Sequence, residues 1–221
     1  MHASRLDRHS STIYFLHLGG LIPLVFAGTL ALCGLRIGHY NHLTRTVSEL
    51  GAIGTATRLL FTCGLVICSL LSVAFVIGLV RVCKVLSISS LPVAMILSFS
   101  ISIAGAGLFP LPLRMHAISG MPSVLLILSP LLSLLLWRHA SQLGGIRQMS
   151  VPSLVIMSLG FLAFLPDVWS AYPGLKQRFF HAGWSFWFAC LSVQFVTLHR
   201  RLKNGSQGRE RELGSSNRVV A

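Results

Sequence analysis

Charge is scarce in this chain. Of its 221 residues only 10% are charged and only five are acidic, where a soluble domain carries roughly 25% charged residues. That scarcity excludes an ordinary soluble globular domain. Catalytic signatures are missing as well. There is no phosphate-cradling glycine loop, no nucleophile elbow and no dinucleotide fingerprint, and the loops are too short to build a soluble catalytic domain. The reading therefore leans away from an enzyme, and no cofactor is expected. The cysteines, Cys33, Cys63, Cys68, Cys83 and Cys190, show no CxxC or metal-ligand spacing. They lie in or beside apolar runs and read as small buried apolar residues. A net charge of +13 invites a nucleic-acid reading, but no basic helix or interleaved aromatic stripe is present, so no nucleic-acid partner is expected.

What the chain has is apolar length. It is 53% hydrophobic with a mean hydropathy of +0.75, and the apolar residues fall into runs of about 20, the length that crosses a ~30 Å hydrocarbon core. Six spans are predicted, at about Tyr14–Leu35, Leu59–Val80, Ser87–Phe109, Ala117–Trp137, Val151–Tyr172 and Phe179–Leu198. The first is too long for the apolar region of a signal peptide, and bulky Leu32 before Cys33 argues against a lipoprotein cleavage site, so it reads as an uncleaved anchor. The expected fold class is all-α, a polytopic bundle of six transmembrane helices. A polar head covers residues 1–13, the membrane domain 14–199, and a basic, disordered tail 200–221. Short connections make consecutive helices antiparallel neighbours. The exception is the first loop, about 36–58.

Six spans put both termini on one side. Twelve of the 18 basic residues lie on that side, and the positive-inside rule makes it cytoplasmic. The expected location is the cell membrane, with the lipid bilayer as environment. Trp169 and Tyr172 then anchor the outer end of span five.

The chemically capable residues gather at span ends on the opposite, outer side: Glu49, Arg114, His116, Asp167, Arg178 and His181, with Ser48 and Trp184 beside them. Charge near hydrocarbon is costly, so such a cluster asks for an explanation. In Thr46-Val47-Ser48-Glu49-Leu50-Gly51-Ala52, Thr46 and Glu49 have capping-box spacing. Glu49 is alternatively a proton carrier, a ligand or the partner of a basic group. Nearby His39 and His42 read as interfacial loop residues. In the segment Gly105–His116, prolines at 110 and 112 force a tight hairpin. Ser98, Ser102, Gly105 and Ala106 form a small-residue face for close helix packing. His116 opens span four as an acid/base, a ligand or a hydrogen-bonding anchor. Arg178, His181 and Ser185 share one face of span six, and the forked donors of Arg178 suit Glu49 or a lipid phosphate.

These stretches together resemble the six-span prokaryotic membrane proteins of domain-of-unknown-function family 998. The shared elements are Thr46–Ala52, Gly107-Leu108-Phe109-Pro110 with His116, and Gly174-Leu175-Lys176-Gln177-Arg178 with Trp184. The family pattern usually continues Phe-Pro with a small polar residue and an Asp, and Leu111 and Pro112 stand there in this chain. The resemblance implies the fold and the positions Glu49, His116 and Arg178, but no reaction.

The outer face carries six basic residues against Glu49 and Asp167, which favours binding of a lipid or amphiphile headgroup. The alternative is a metal-dependent hydrolase using Glu49, His116 and His181, although His181 lacks a second histidine beside it on the last span. An ion-coupled transporter is a further alternative, as is a structural assembly protein, a homo-oligomer included. Without charges near the span centres or an inverted repeat, the transporter has less support.

Overall fold

In a computed structural model the described residues run from 10 to 219 along the backbone, with side chains from 11 to 205. Among them are helices and no strand. Six helical segments are long and apolar enough to cross a membrane: α1 (Ser11–Ile37), α2 (Arg58–Val85), α3 (Leu91–Leu108), α4 (Arg114–Leu136), α5 (Ser141–Phe164) and α6 (Pro173–Gly205). The chain is a multi-pass helical membrane protein. Most of the polar head lies outside the described residues. The last helix continues as backbone to Val219, across the segment read from composition as a disordered tail, and the side chains beyond residue 205 lie outside the description.

Each helix packs on its sequence neighbour, and α6 closes the ring against α1. Their inner faces meet in an aromatic centre. Phe99 of α3 lies 4.5 Å from Trp184 and 5.1 Å from Phe188 of α6, and Phe26 of α1 lies 5.2 Å from Trp184. Leu24, Leu35 and Leu59 point outward and are more than two-thirds exposed, as residues facing lipid must be. Buried indoles find acceptors: Trp137 Nε1–H donates to the Ser89 carbonyl at 2.9 Å, and Trp187 Nε1–H to Ser129 Oγ at 2.8 Å. This meets the rule that polar groups in hydrocarbon need internal partners.

Span five differs from its sequence expectation. It starts at Ser141 and ends at Phe164, so Asp167, Trp169 and Tyr172 lie in the following loop. Pro166 is the reason, because it pushes the residue before it out of the helical region, and Leu165 is extended. Span six begins at Pro173, since proline is well suited to a first helical position, where its missing N–H costs nothing.

Three helices are irregular, α3 being interrupted at Met95. α4 is α-helical over Arg114–Gly120, tightens to a 3-10 helix over Met121–Ile127, then resumes over Leu128–Leu136. Pro122 sits at the switch and cannot donate to the preceding turn. α5 ends in a 3-10 stretch, Gly160–Phe164.

The small-residue face of α3 packs on α4 as its pattern predicts. A Cβ at Gly105 would collide with the side chain of Ser119, and Ser102 Oγ donates to the Gly120 carbonyl at 3.3 Å. Replacing Gly105 with leucine should force the two helices apart and cost about 1–3 kcal/mol. The check is the unfolding midpoint of the purified variant in detergent, and an unchanged midpoint would contradict this packing.

Candidate functional site

The first loop folds back over one end of the bundle and is stitched to two other connections. Ile53 N–H donates to the Leu111 carbonyl of the α3–α4 hairpin at 2.8 Å, and Leu175 N–H of α6 donates to the Leu43 carbonyl at 2.9 Å. Gln177 of α6 accepts from Val47 N–H at 2.7 Å. Except for Trp184, which reaches into the aromatic centre, the sequence-selected residues lie at this end.

Glu49 sits in a short 3-10 turn, Val47–Gly51, and its carboxylate reaches back as the capping spacing predicts. It accepts from Thr46 N–H at 2.8 Å and from Thr46 Oγ1 at 3.0 Å. It also forms an ion pair with Arg45 at 2.8 Å. Partial burial favours its neutral form, but the hydrogen bonds from Arg45 and Thr46 outweigh that and hold the carboxyl below its usual value.

Arg178 does not meet Glu49, contrary to the pairing its forked donors suggest. Arg45, four residues before Glu49, reaches the carboxylate first, and Arg178 turns to the loop instead. Its guanidinium donates to the carbonyls of Arg45 at 3.1 Å and Gly174 at 3.0 Å, to Tyr40 Oη at 3.2 Å and to His42 Nδ1 at 2.8 Å. The buried Tyr40 in turn donates to the Thr46 carbonyl at 2.6 Å. Burial raises the phenol's pKa, partly opposed by Arg178. Only a residue without a side chain fits at 174, where a Cβ would run into the Arg45 carbonyl and lie 2.8 Å from Arg178 Nη1. His42, expected to be a passive loop residue, is thus a working acceptor.

His116 spans two elements. Its Nδ1 lies 2.8 Å from the Phe109 carbonyl and its Nε2 lies 2.9 Å from Ser48 Oγ. A carbonyl can only accept, so Nδ1 carries the proton and Nε2 accepts from the Ser48 hydroxyl. On α6, Trp184 Nε1–H donates to His181 Nδ1 at 3.1 Å. The His181 proton therefore sits on Nε2, which is buried and has no partner among the described residues. Arg114 and Asp167 are exposed and have no hydrogen bond or ion pair among the described residues, so neither joins the others. No group of three metal-ligating side chains converges among the described residues. Glu49, His116 and His181, the suggested ligand set, each turn to different partners.

A cavity of about 380 Å³ lies beneath the loop. Its walls are largely apolar, with Phe26, Phe61, Phe99, Phe161, Phe180 and Trp184 among them, and its polar part includes Ser48, His116, Lys176, Gln177 and His181. The lining of the cavity reaches the surface on α4 and α5. Ala117, Ala163 and Phe164 line it and are also exposed. Lys176 stands in the sequence as one residue of the Gly174–Arg178 stretch. It is 3% exposed, and its ammonium donates to the carbonyls of Leu165 at 2.9 Å and Val168 at 2.8 Å. Its burial had no composition signal; only its place inside the Gly174–Arg178 motif set it apart.

Residues 19–194 match the family described as "Protein of unknown function (DUF998)". The chain belongs to that family. No curated protein and no solved structure matches it. Within this DUF998 chain, the three stretches that carried the resemblance are the three that meet at the loop: the Ser48 turn, the Phe109–His116 hairpin and the start of α6.

The Arg178–His42 contact is pH-sensitive. Burial and the neighbouring Arg178 charge depress the His42 pKa. A folded pKa below the unfolded value of about 6.5 means that the loop's stability is complete above that pH and is lost as pH falls, because the unfolded loop takes up the proton first. Proteolysis of the full chain within 38–46, normalised to an unstructured peptide, should quicken between about pH 7.5 and 5.5. Glu49 titrates below this window. His42→Gln keeps an acceptor that does not titrate and should flatten the profile. A flat wild-type profile would contradict the role given to His42.

Proposed function

We propose that this protein resides in the cell membrane and holds an anionic amphiphile in the cavity beneath the first loop, with the headgroup at Lys176 and His181 and the apolar part among the phenylalanines. The observation that carries the reading is Lys176. It is a buried cation beside an apolar cavity, and no carboxylate among the described residues pairs with it. An ammonium offers three donors, and two are taken by carbonyls. Buried charge without a counter-charge is costly, and an anionic headgroup supplies one.

Two further features support this reading. His181 Nε2–H is a buried donor that wants an acceptor. The cavity volume of about 380 Å³ falls in the range of small-ligand sites, roughly 300–1,000 Å³. Its mouth is rimmed by apolar Ala117, Ala163 and Phe164, which suits entry from the bilayer. The metal-dependent hydrolase loses its support because its three ligands do not converge.

The test is to purify the full chain in mild detergent and identify co-purifying amphiphiles by mass spectrometry. Wild type should retain an anionic amphiphile near one per chain. Lys176→Met, which keeps length and apolarity, should lose at least tenfold of it. Ala117→Trp, which narrows the mouth without touching Lys176, should reduce occupancy in a protein with wild-type unfolding behaviour. Unchanged occupancy in both folded variants would refute the reading.

A further inference from the structure

We propose that Ser48 and His116 form a nucleophile–base pair that cleaves an acyl ester of an amphiphile bound in the cavity. The proposal rests on the binding reading above and adds a reaction to it.

The geometry is that of an activated serine. The requirement is a hydroxyl within hydrogen-bonding reach of a base, with the base oriented by a third group. Ser48 Oγ donates to His116 Nε2 at 2.9 Å, and the Phe109 carbonyl holds Nδ1–H at 2.8 Å. That carbonyl fixes the tautomer in which Nε2 is free to take a proton. The two residues are 68 positions apart and come from different elements. Both residues line the cavity in which the amphiphile would sit. The carboxylate next in sequence, Glu49, is turned away to Arg45 and Thr46.

The groups that would meet the remaining needs line the same cavity. Attack on an ester generates an oxyanion, which requires N–H donors already in place. His181 lines the cavity and its buried Nε2–H has no partner among the described residues, and Lys176, another lining residue, carries an ammonium. Ser48 and His116 are both partly exposed at the loop end of the bundle, and water is the second reactant.

The step balances with water as co-reactant. Ser48 Oγ attacks the ester carbonyl carbon while its proton passes to His116 Nε2. The tetrahedral oxyanion collapses, the acyl C–O bond to the alcohol breaks, and the alcohol departs with the proton from Nε2. Water then attacks the acyl-serine, giving its proton to Nε2. Collapse returns that proton to Ser48 Oγ and releases the carboxylic acid. The net change is ester plus water to acid plus alcohol, with no change of oxidation state.

A purely structural role for the pair, tying the first loop to the α3–α4 hairpin, makes a different prediction. The test uses the purified full chain and a long-chain alkyl fluorophosphonate, which loses fluoride when an activated serine oxygen attacks phosphorus. We expect peptide mass spectrometry to find the adduct on Ser48. His116→Gln keeps a hydrogen-bond acceptor for the Ser48 hydroxyl but cannot serve as the base, and should slow labelling at least 100-fold. Ser48→Ala should abolish labelling at that peptide. Wild-type protein with no adduct on Ser48 would overturn the proposal whatever the variants do. So would a folded His116→Gln variant that labels at the wild-type rate. If wild type carries an amphiphile but shows no adduct, the binding reading stands and the hydrolytic one falls.

Discussion

Arg178 is the contact on which the end of this bundle depends. A membrane domain has few polar groups to spend on tertiary structure, and the first loop is its longest connection. The Arg178 guanidinium spreads its donors over two carbonyls, a phenol and an imidazole, and so joins the loop to the start of α6. The planar fork matters here, because a lysine offers one compact charge and cannot reach such separated acceptors. Gly174 completes the fit by leaving room for the loop backbone. Once the loop is seated, Val47 reaches Gln177 and Ser48 reaches His116. The roof of the cavity therefore follows from one anchored arginine.

The cavity itself follows from imperfect helices. α4 and α5 pack together along Leu128–Leu136 and Gly144–Leu159, away from the loop. Toward the loop, Pro122 converts α4 to a tighter helix, and α5 closes in a 3-10 turn before Pro166. Tightening shifts side chains off the regular helical faces, and the cavity lies beside both stretches. Local backbone chemistry thus creates space inside a bundle whose centre is otherwise filled by large aromatic rings.

The spans were legible because hydrocarbon thickness imposes length and apolarity together. The edges were less so. The fifth apolar window slides, since Leu165, Val168 and Trp169 extend it past the true end, and only Pro166 marks the stop. Glu49 was readable because its partners are local: a carboxylate three residues from its cap is a sequence pattern. The forked donors of Arg178 point by residue type to Glu49 or a phosphate, whereas two of its four acceptors are main-chain carbonyls, which leave no trace in residue type. The Ser48–His116 contact is also invisible in sequence. It depends on where a loop lands, and that is decided by Arg178 and Gly174 far along the chain. Lys176 was missed for the opposite reason: a lysine at a span end normally faces water, and this one is buried against carbonyls.

The space beneath the loop acts as a ligand site, on this reading, rather than as a packing gap. The most direct measurement is a high-resolution structure of the full chain in nanodiscs of its native lipid. Elongated density is expected in the cavity, with its head within hydrogen-bonding distance of Lys176 Nζ and His181 Nε2. A cavity closed by inward movement of Phe161 and Phe180, with no density beside Lys176, would contradict it.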